Sequence, residues 1–326
     1  MILFSSSEKI VKLLKSSNGY ISGEFIAQKL DISRAAVWKQ ICKLRKNGFC
    51  IEAQPKSGYR LVTEPDRLLP EMIKKDLKTS LIGQNVIYYD EIESTNLIAK
   101  QLAADDVQEG TIVIAENQTK GRGRLQRSWL SEPYKNILMS IVFRPRISPN
   151  RIFFLTMLIS LAIVKAISHV LRLEARIKWP NDIYIKNCKV GGILTEFTAE
   201  HDQVNYVVVG IGLNVNFNPL PGSEMLENAT SLHIQFGKNI SRIKLLNSIL
   251  QEIEKGYSLL QENKFLQIRK QWNSFSLIKG KRVKIIYPDH SEEGIAESVD
   301  EDGYLILKDD NGNKKKIVCG DVSLRF

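Results

Sequence analysis

Apolar positions along the chain recur first at helical spacing and then at every second residue, and the changes of period divide it in three. A periodic stretch at Lys9–Leu14 predicts one helix. Ser22 then stands at the N-cap of GEFIAQKL, where Phe25, Ile26 and Leu30 share a face. Ser33 caps RAAVWKQICKLRKNG, where Val37, Ile41 and Leu44 form an apolar stripe and Gly48 is the stop signal. Two short helices joined by a few residues make a helix-turn-helix. CIEAQPKSGYRLV follows, two alternating stretches around Pro55-Lys56-Ser57-Gly58, and it predicts a hairpin. A helix-turn-helix with a basic hairpin behind it is a winged helix.

TEPDRLLPE (Thr63–Glu71), with two prolines and a polar flank, predicts a linker. Beyond it, strand-like runs occur at VIYYDEI, GTIVIAENQ, NILMSIVFRP, EARIKWPNDIYI, KVGGILTEF and QVNYVVVGIGLNVN. Helical stretches lie at Asn96–Ala104, Arg151–Leu171 and Arg242–Glu262. Several successive strands have no helix between them, so the pattern predicts α+β with a mixed sheet, not a doubly wound fold. The apolar run Ile152–Val164 is shorter than the roughly 20 residues a bilayer span needs, and Lys165 and His169 follow it at once. It is expected to be a buried core helix, with no membrane partner. From Leu277 onward the runs are short and β-rich, punctuated by Asp302-Gly303 and Asn311-Gly312, both strong turn signals. A small SH3-like β-barrel is expected there. The predicted division is 1–64, winged helix; 65–276, central catalytic α/β domain; and 277–326, the barrel.

Charge sharpens this division. The whole chain carries net +10, and residues 1–64 hold 11 Lys/Arg against 5 Asp/Glu. The third helix offers Arg34, Trp38, Lys39, Lys43, Arg45 and Lys46, and the wing Lys56 and Arg60. Such donors hold phosphates and reach base edges, so Gly23–Cys42, in particular Ser33, Arg34, Trp38 and Lys39, with Lys56 on the wing, are the expected DNA-binding residues. A winged helix that serves only protein interaction is the competing reading. Residues 277–326 have nine basic and ten acidic residues and lack that bias. The four cysteines form no CxxC or Cys/His cluster, which argues against a disulfide framework or a zinc site and for a reducing compartment. The start, MILFSSSEK, lacks a basic region followed by a long apolar stretch, so a cytoplasmic location is expected. The four histidines are far apart, with no hydrolase signature around them.

Candidate chemistry concentrates in four places. Gly121-Arg122-Gly123-Arg124 follows the strand-like run Thr111–Glu116. Glycines let backbone approach a ligand closely, and guanidinium groups fork onto phosphate or carboxylate oxygens. The segment suits an anion that is bound and then surrounded, although a basic loop without a ligand has the same composition. No GxxxxGK[ST] occurs. Lys178-Trp179-Pro180-Asn181-Asp182 puts a lysine at the end of a strand-like run. A held ammonium there could neutralise a reacting carboxylate and phosphate together, and a lysine beside a β-bulge is the structural alternative. Ser94-Thr95-Asn96 opens a helix, as a simple cap or as a set of hydroxyls aimed at a ligand. Gly210 and Gly212 in VVVGIGLNVN lack the third glycine of a dinucleotide fingerprint.

Taken in order, winged helix, S-T-N, Q-x-x-G-R-G-R, K-W-P-N-D, G-G-I-L-x-E, G-x-G-x-N and a small β-rich end resemble one family along essentially the whole chain. It is that of the bifunctional biotin–protein ligases that also act as biotin operon repressors. The resemblance implies that biotin and ATP give biotinyl-5′-adenylate, with Mg²⁺ on the phosphates. Biotin then passes to one lysine of a biotin carboxyl carrier protein. It places Ser94, Thr95, Asn96 and Gln118 at the ureido ring of biotin, and Arg122, Gly123 and Arg124 in a loop that orders over the adenylate. It further places Lys178 at the biotin carboxyl and α-phosphate, Trp129 at the adenine and Asn214 in the nucleotide-facing turn. Gly191 and Gly192 would be points of close backbone approach, and Asp182 a candidate base or orienter. Arg122, Arg124 and Lys178 are the expected catalytic cations, and no protein-bound metal is implied. A homodimer favoured by bound biotinyl-adenylate, on palindromic operator DNA, completes the implied picture. The loop departs from the family pattern at Leu125 and at Gln126, which stands where the third glycine usually is. A ligand-sensing repressor without turnover and a lipoate-type acyl ligase are the competing functions.

Overall fold

The computed structural model describes residues 6–324 except 18, 47–48, 65, 201–202, 219–228, 288–289 and 319. It clusters into two compact units, Met1–Asp66 and Arg67–Phe326. In the first, α1 (Ser6–Lys15), α2 (Gly23–Leu30) and α3 (Arg34–Lys46) precede the hairpin β1 (Cys50–Gln54) and β2 (Gly58–Thr63). Ser22 Oγ accepts from Phe25 N at 3.1 Å, and Ser33 Oγ accepts from Ala36 N at 3.1 Å, as cap chemistry requires. Ile10, Leu14, Ile26, Val37, Ile41, Leu44 and Ile51 form the core. Phe25, expected on the inner stripe, is 44% exposed, and Ala27 is buried instead. Gly58 has φ +106°, and a Cβ there would lie 2.0 Å from Ile21 O. Only glycine lets the wing dock on the chain between α1 and α2, where Ile21 and Tyr59 exchange both backbone hydrogen bonds at 2.8 Å. Gly48, expected to stop α3, lies outside the described residues.

In the second unit, Pro70, read as linker, instead starts the short helix α4 (Pro70–Asp76), where its missing N–H is harmless. There follow β3 (Val86–Ile92), α5 (Thr95–Ala104), β4 (Ile112–Gln118), β5 (Ile137–Phe143), α6 (Phe153–Leu171), β6 (Ala175–Lys178), β7 (Asp182–Ile185), β8 (Cys188–Glu200) and β9 (Gln203–Leu213). Then come α7 (Leu232–Phe236), α8 (Arg242–Gln261) and α9 (Phe265–Phe275). The strands form one mixed sheet in the order β3-β4-β5-β9-β8-β7-β6, with only β3 and β4 parallel. The apolar helix α6 is buried along nearly its whole length, packed with α8 and α9 on one face of the sheet. Alternate strand residues Val113, Val142 and Val208 face the other way and meet Ala99 and Ala103 of α5.

One buried ion pair fixes how the chain enters this unit. Glu116 and Arg242 are both fully buried and 2.7 Å apart. Glu116 also accepts from Leu68 N at 2.8 Å, and Arg242 donates to Asn136 O at 2.8 Å. The end of the chain forms a five-stranded antiparallel sheet from β10 (Arg282–Ile286), β11 (Ser291–Val299), β12 (Leu305–Lys308), β13 (Lys314–Ile317) and β14 (Asp321–Leu324). Gly303 and Gly312 take φ of +88° and +86° at the two expected turns. The outer strands β13 and β14 share no ladder among the described residues, so the expected barrel is present as an open sheet. Trp179 Nε1 donates to Gly303 O at 3.3 Å, which ties this sheet to the central one.

Candidate active site

Two rows of residues across the central sheet build the site. Ser140, Gly210 and Leu194 are paired neighbours on β5, β9 and β8. Two residues along lie Leu138, Gly212, Gly192 and Asp182. Both rows face the side that carries α5, and the glycines leave a floor without side chains. A cavity of about 390 Å³ opens over them, within the size range of small-ligand pockets.

At one end stands a buried network of uncharged groups. Ser94 occupies the N-cap of α5 but makes no capping hydrogen bond with its side chain. Thr95 N and Oγ1 both reach Gln118 Oε1, at 2.7 and 3.0 Å. Ser140 Oγ lies 2.7 Å from Thr95 Oγ1 and 2.6 Å from Asn96 Oδ1. Asn96 packs directly on Gly210, where a Cβ would come within 2.1 Å of its Oδ1. A neutral, hydrogen-bonding solute fits such a pocket, whereas an anion would find no cation among these residues.

The other end is charged and lies under the arginine-rich loop. Gly123 N donates to Arg127 O at 2.7 Å, and Trp129 N donates to Gly121 O at 2.9 Å, so the loop folds back as a narrow hairpin. A Cβ at Gly121 would stand 2.5 Å from Trp129 O, which explains that glycine. Arg122, Arg124 and Arg127 all line the cavity, and Arg124 Nη1 donates to Asn181 Oδ1 at 3.3 Å. Leu125 and Gln126 both take left-handed backbone, with φ of 53° and 58°. The indole of Trp129 covers Gly212 and Gly192, and its Nε1 is buried without a protein hydrogen-bond partner. Asn214 also lines the cavity, donating to Thr230 O at 3.2 Å while its buried Oδ1 has no partner. A buried donor and a buried acceptor thus stand in the cavity wall, as a ligand-binding surface requires.

Of the expected residues, Ser94, Thr95, Asn96, Gln118, Arg122, Gly123, Arg124, Trp129, Gly192 and Asn214 come together here. Lys178 stands beside them as the register partner of Asp182 without lining the cavity itself, and Gly191 points away. Gly191 is in the intervening row with Ile183 and Leu213, so the pleat turns it to the opposite face. Lys178, on the edge strand β6, pairs with Asp182 and so ends the row of Gly212, Gly192 and Asp182 on the cavity face, with its Nζ 3.3 Å from the Tyr184 hydroxyl and 5.1 Å from the ring centre. Burial, reinforced by the charge of Asp182, pushes the Tyr184 phenol up to about 12. The lysine that lines the cavity is Lys189, which no motif had singled out. Its Nζ pairs with Asp182 at 2.6 Å and lies 5.7 Å from the centre of the Trp129 ring. Gly210, Gly212, Arg127 and Asn181 were likewise not among the expected site residues. For Gly210 and Gly212 the signal was present, since G-x-G-x-N ends β9 at the cavity floor.

On the N-terminal unit Ser33, Arg34, Trp38, Lys39, Lys43 and Lys56 are all exposed, Trp38 by 61%. Arg45 is not free for a ligand, because its guanidinium holds Ile51 O at 2.9 and 2.7 Å. Arg60 is paired with Glu52 at 2.7 Å. The Lys46 side chain lies outside the described residues.

Comparison with known proteins decides the family. Residues 88–214 match the profile of the biotin/lipoate A/B protein ligase family, residues 7–60 an HTH domain, and residues 279–325 the biotin protein ligase C terminal domain. The bifunctional ligase/repressor BirA of Bacillus subtilis (strain 168) is 39% identical over 311 residues, 95% of each chain. This chain belongs to the BirA family of biotin protein ligases. BirA of Escherichia coli (strain K12) is 30% identical over 320 residues, 97% of this chain and 96% of its own. The biotin protein ligase of Aquifex aeolicus, solved in complex with biotin and ATP, superposes with a TM-score of 0.63 at 30% identity. It covers 74% of this chain and 99% of its own. BirA membership agrees with the order of motifs, and it joins a helix-turn-helix to a ligase in one chain.

Proposed function

We propose that this BirA-family chain makes biotinyl-5′-adenylate from biotin and ATP and transfers biotin to a carrier-protein lysine. We propose further that it represses transcription in response to biotin. The observation that carries the reading is a single cavity with a neutral hydroxyl–amide pocket at one end and Lys189, Arg122, Arg124 and Arg127 at the other. The ureido ring of biotin suits the first end, and its carboxylate with the α-phosphate of ATP suits the second.

The chemistry asks for alignment more than for a protein nucleophile. A biotin carboxylate oxygen bonds to the α-phosphorus, and the bond to pyrophosphate breaks. Two anions that repel each other are held together by cations fixed in advance. Lys189 is positioned by Asp182 and Arg124 by Asn181. Trp129 and the loop around it exclude water from the mixed anhydride. In the second step the carrier amine attacks the acyl carbon and AMP leaves, while Asp182 is the candidate acceptor for the amine's proton. No group of three His, Cys, Asp or Glu side chains that could hold a metal occurs among the described residues. Mg²⁺ would arrive with ATP, held by the phosphates, and it would supply charge neutralisation there.

In the N-terminal unit, Arg34, Trp38 and Lys39 of α3 with Lys56 of the wing would face operator DNA. A homodimer favoured by bound adenylate would match a palindromic site, and the setting would be the cytoplasm. The test is mass spectrometry of the protein after incubation with MgATP and equimolar biotin and lipoate. Retained biotinyl-adenylate supports the ligase reading, whereas lipoyl-adenylate or no adenylate overturns it. Gel retardation of biotin-synthesis promoter DNA only when biotin and MgATP are both present supports repression, and no retardation in any condition overturns it.

A further inference from the structure

One large apolar side chain on α3 faces outward. Val37, Ile41 and Leu44 turn into the core of the N-terminal unit, yet Trp38, one position on from Val37, is 61% exposed. It lies in the first half of the helix, with Arg34 and Ala35 one turn before it, both exposed. Two other aromatic rings of this unit each carry a cation: Lys29 Nζ lies 5.8 Å from the Phe25 ring centre, and Arg60 Cζ 5.0 Å from that of Tyr20. No cation stands over the Trp38 ring among the described residues. On the same helix Lys39 and Lys43 are exposed, with no ion pair among the described residues, and the Arg34–Glu24 pair, 3.6 Å apart, is exposed on both sides. Exposed pairs contribute little, so Arg34 is available to an outside anion.

Chemistry selects what covers such a surface. Cations answer phosphates, which are the same at every base pair and carry no sequence information. Base-pair edges in the major groove present donors, acceptors and a single apolar group, the 5-methyl of thymine. An indole has a wide carbon surface and one N–H, so the methyl is the part of a base edge against which that surface is buried. The early residues of a recognition helix are the ones that reach base edges. Residues 7–60 match an HTH domain, which favours DNA over an acidic protein surface as the partner. We propose that Trp38 packs on the 5-methyl group of a thymine. It thereby supplies a sequence preference that phosphate contacts from Lys39 and Lys43 do not. This rests on the repressor reading of the N-terminal unit.

Removing the methyl tests it. The biotin-synthesis promoter fragment is prepared twice, with thymine and with uracil throughout, and the two are compared by gel retardation with the full chain, biotin and MgATP. The parent should bind the uracil DNA roughly fivefold or more weakly, the low end of the cost of one wrong base pair. In Trp38→Ala this ratio falls toward one, while the unfolding midpoint stays near that of the parent, as for an exposed side chain. Trp38→Lys replaces the ring by a charged stem and loses the same discrimination, so it decides the matter should the alanine variant not fold. Lys39→Ala is the contrast. It weakens both DNAs alike, keeps the ratio and lowers the salt dependence by about one ion. A merely structural role for Trp38 would also weaken both DNAs alike and keep the ratio. A ratio equal in the parent and the Trp38 variants, whether near one or not, overturns the proposal. Retardation of neither DNA by the parent overturns the repressor reading instead, a distinct result.

Discussion

The indole of Trp129 lies so close to Gly212 that a Cβ on Gly212 would stand 2.5 Å from the ring. A flat aromatic lid can rest on a sheet only where the floor has no side chains, and the paired Gly192 extends that floor. Gly212→Ala therefore lifts Trp129 without touching the packed face of the sheet. The expected outcome is a loss of roughly 10²-fold in kcat/KM for adenylation, the scale of a misplacement near an ångström. The thermal unfolding midpoint stays near that of the parent. Pyrophosphate exchange and calorimetry check the two halves, and unchanged exchange would remove Trp129 from the closed site.

Lys189 and Lys178 approach Asp182 from the strands on either side of it. Lys189 lines the cavity and pairs with Asp182, while Lys178 turns to Tyr184 on the edge of the sheet. Lys189→Ala should lower the adenylation kcat by about 10²–10³-fold, the cost of removing one preorganised charge stabiliser. Lys178→Ala should cost tenfold or less. Single-turnover formation of biotinyl-adenylate measures both, and equal losses would place Lys178 at the reacting groups after all.

Gln126 holds left-handed backbone, φ 58°, at the position where the family pattern has glycine. A side chain there costs about 1–2 kcal/mol, and restoring glycine relieves that strain but costs about 0.4–1 kcal/mol through the freedom of the unfolded chain. Gln126→Gly should then leave global stability unchanged or raise it by up to about 1.6 kcal/mol. The loop becomes easier to open, so biotinyl-adenylate dissociates faster, as stopped-flow release would record. A slower release would mean that Gln126 loosens the loop.

The caps Ser22 and Ser33, the strand–helix order and the Ser94-Thr95-Asn96 and Arg122–Arg124 groups were legible in the sequence because each depends on neighbours a few residues away. Which of two adjacent glycines faces the cavity depends on strand register. Gly191 and Gly192 differ only by the pleat, and a bulge between Ile183 and Tyr184 shifts the pairing beside them. The same register brings Lys189 to Asp182 from the next strand, a contact that no local spacing predicts. Helix α4 was hidden because its opening proline signals both a linker and a first helical turn. The left-handed backbone at Gln126 was foreshadowed only by the glycine it replaces.

Glu116 and Arg242 give the last expectation, on stability. Each is fully buried and they pair at 2.7 Å, with Leu68 N and Asn136 O bonded to the same two side chains. Removing one partner leaves a buried charge uncompensated, so Glu116→Gln or Arg242→Met should destabilise the second unit by about 3–5 kcal/mol. Replacing both with Leu and Met removes both charges, yet Leu68 N and Asn136 O then lack partners at about 1–3 kcal/mol each. The double variant should therefore recover only part of the loss. Urea unfolding followed by tryptophan fluorescence reads this directly, because Trp129, Trp179 and Trp272 all lie in the second unit. Additive losses in the double variant would show that the two side chains act independently, against the geometry of a shared network.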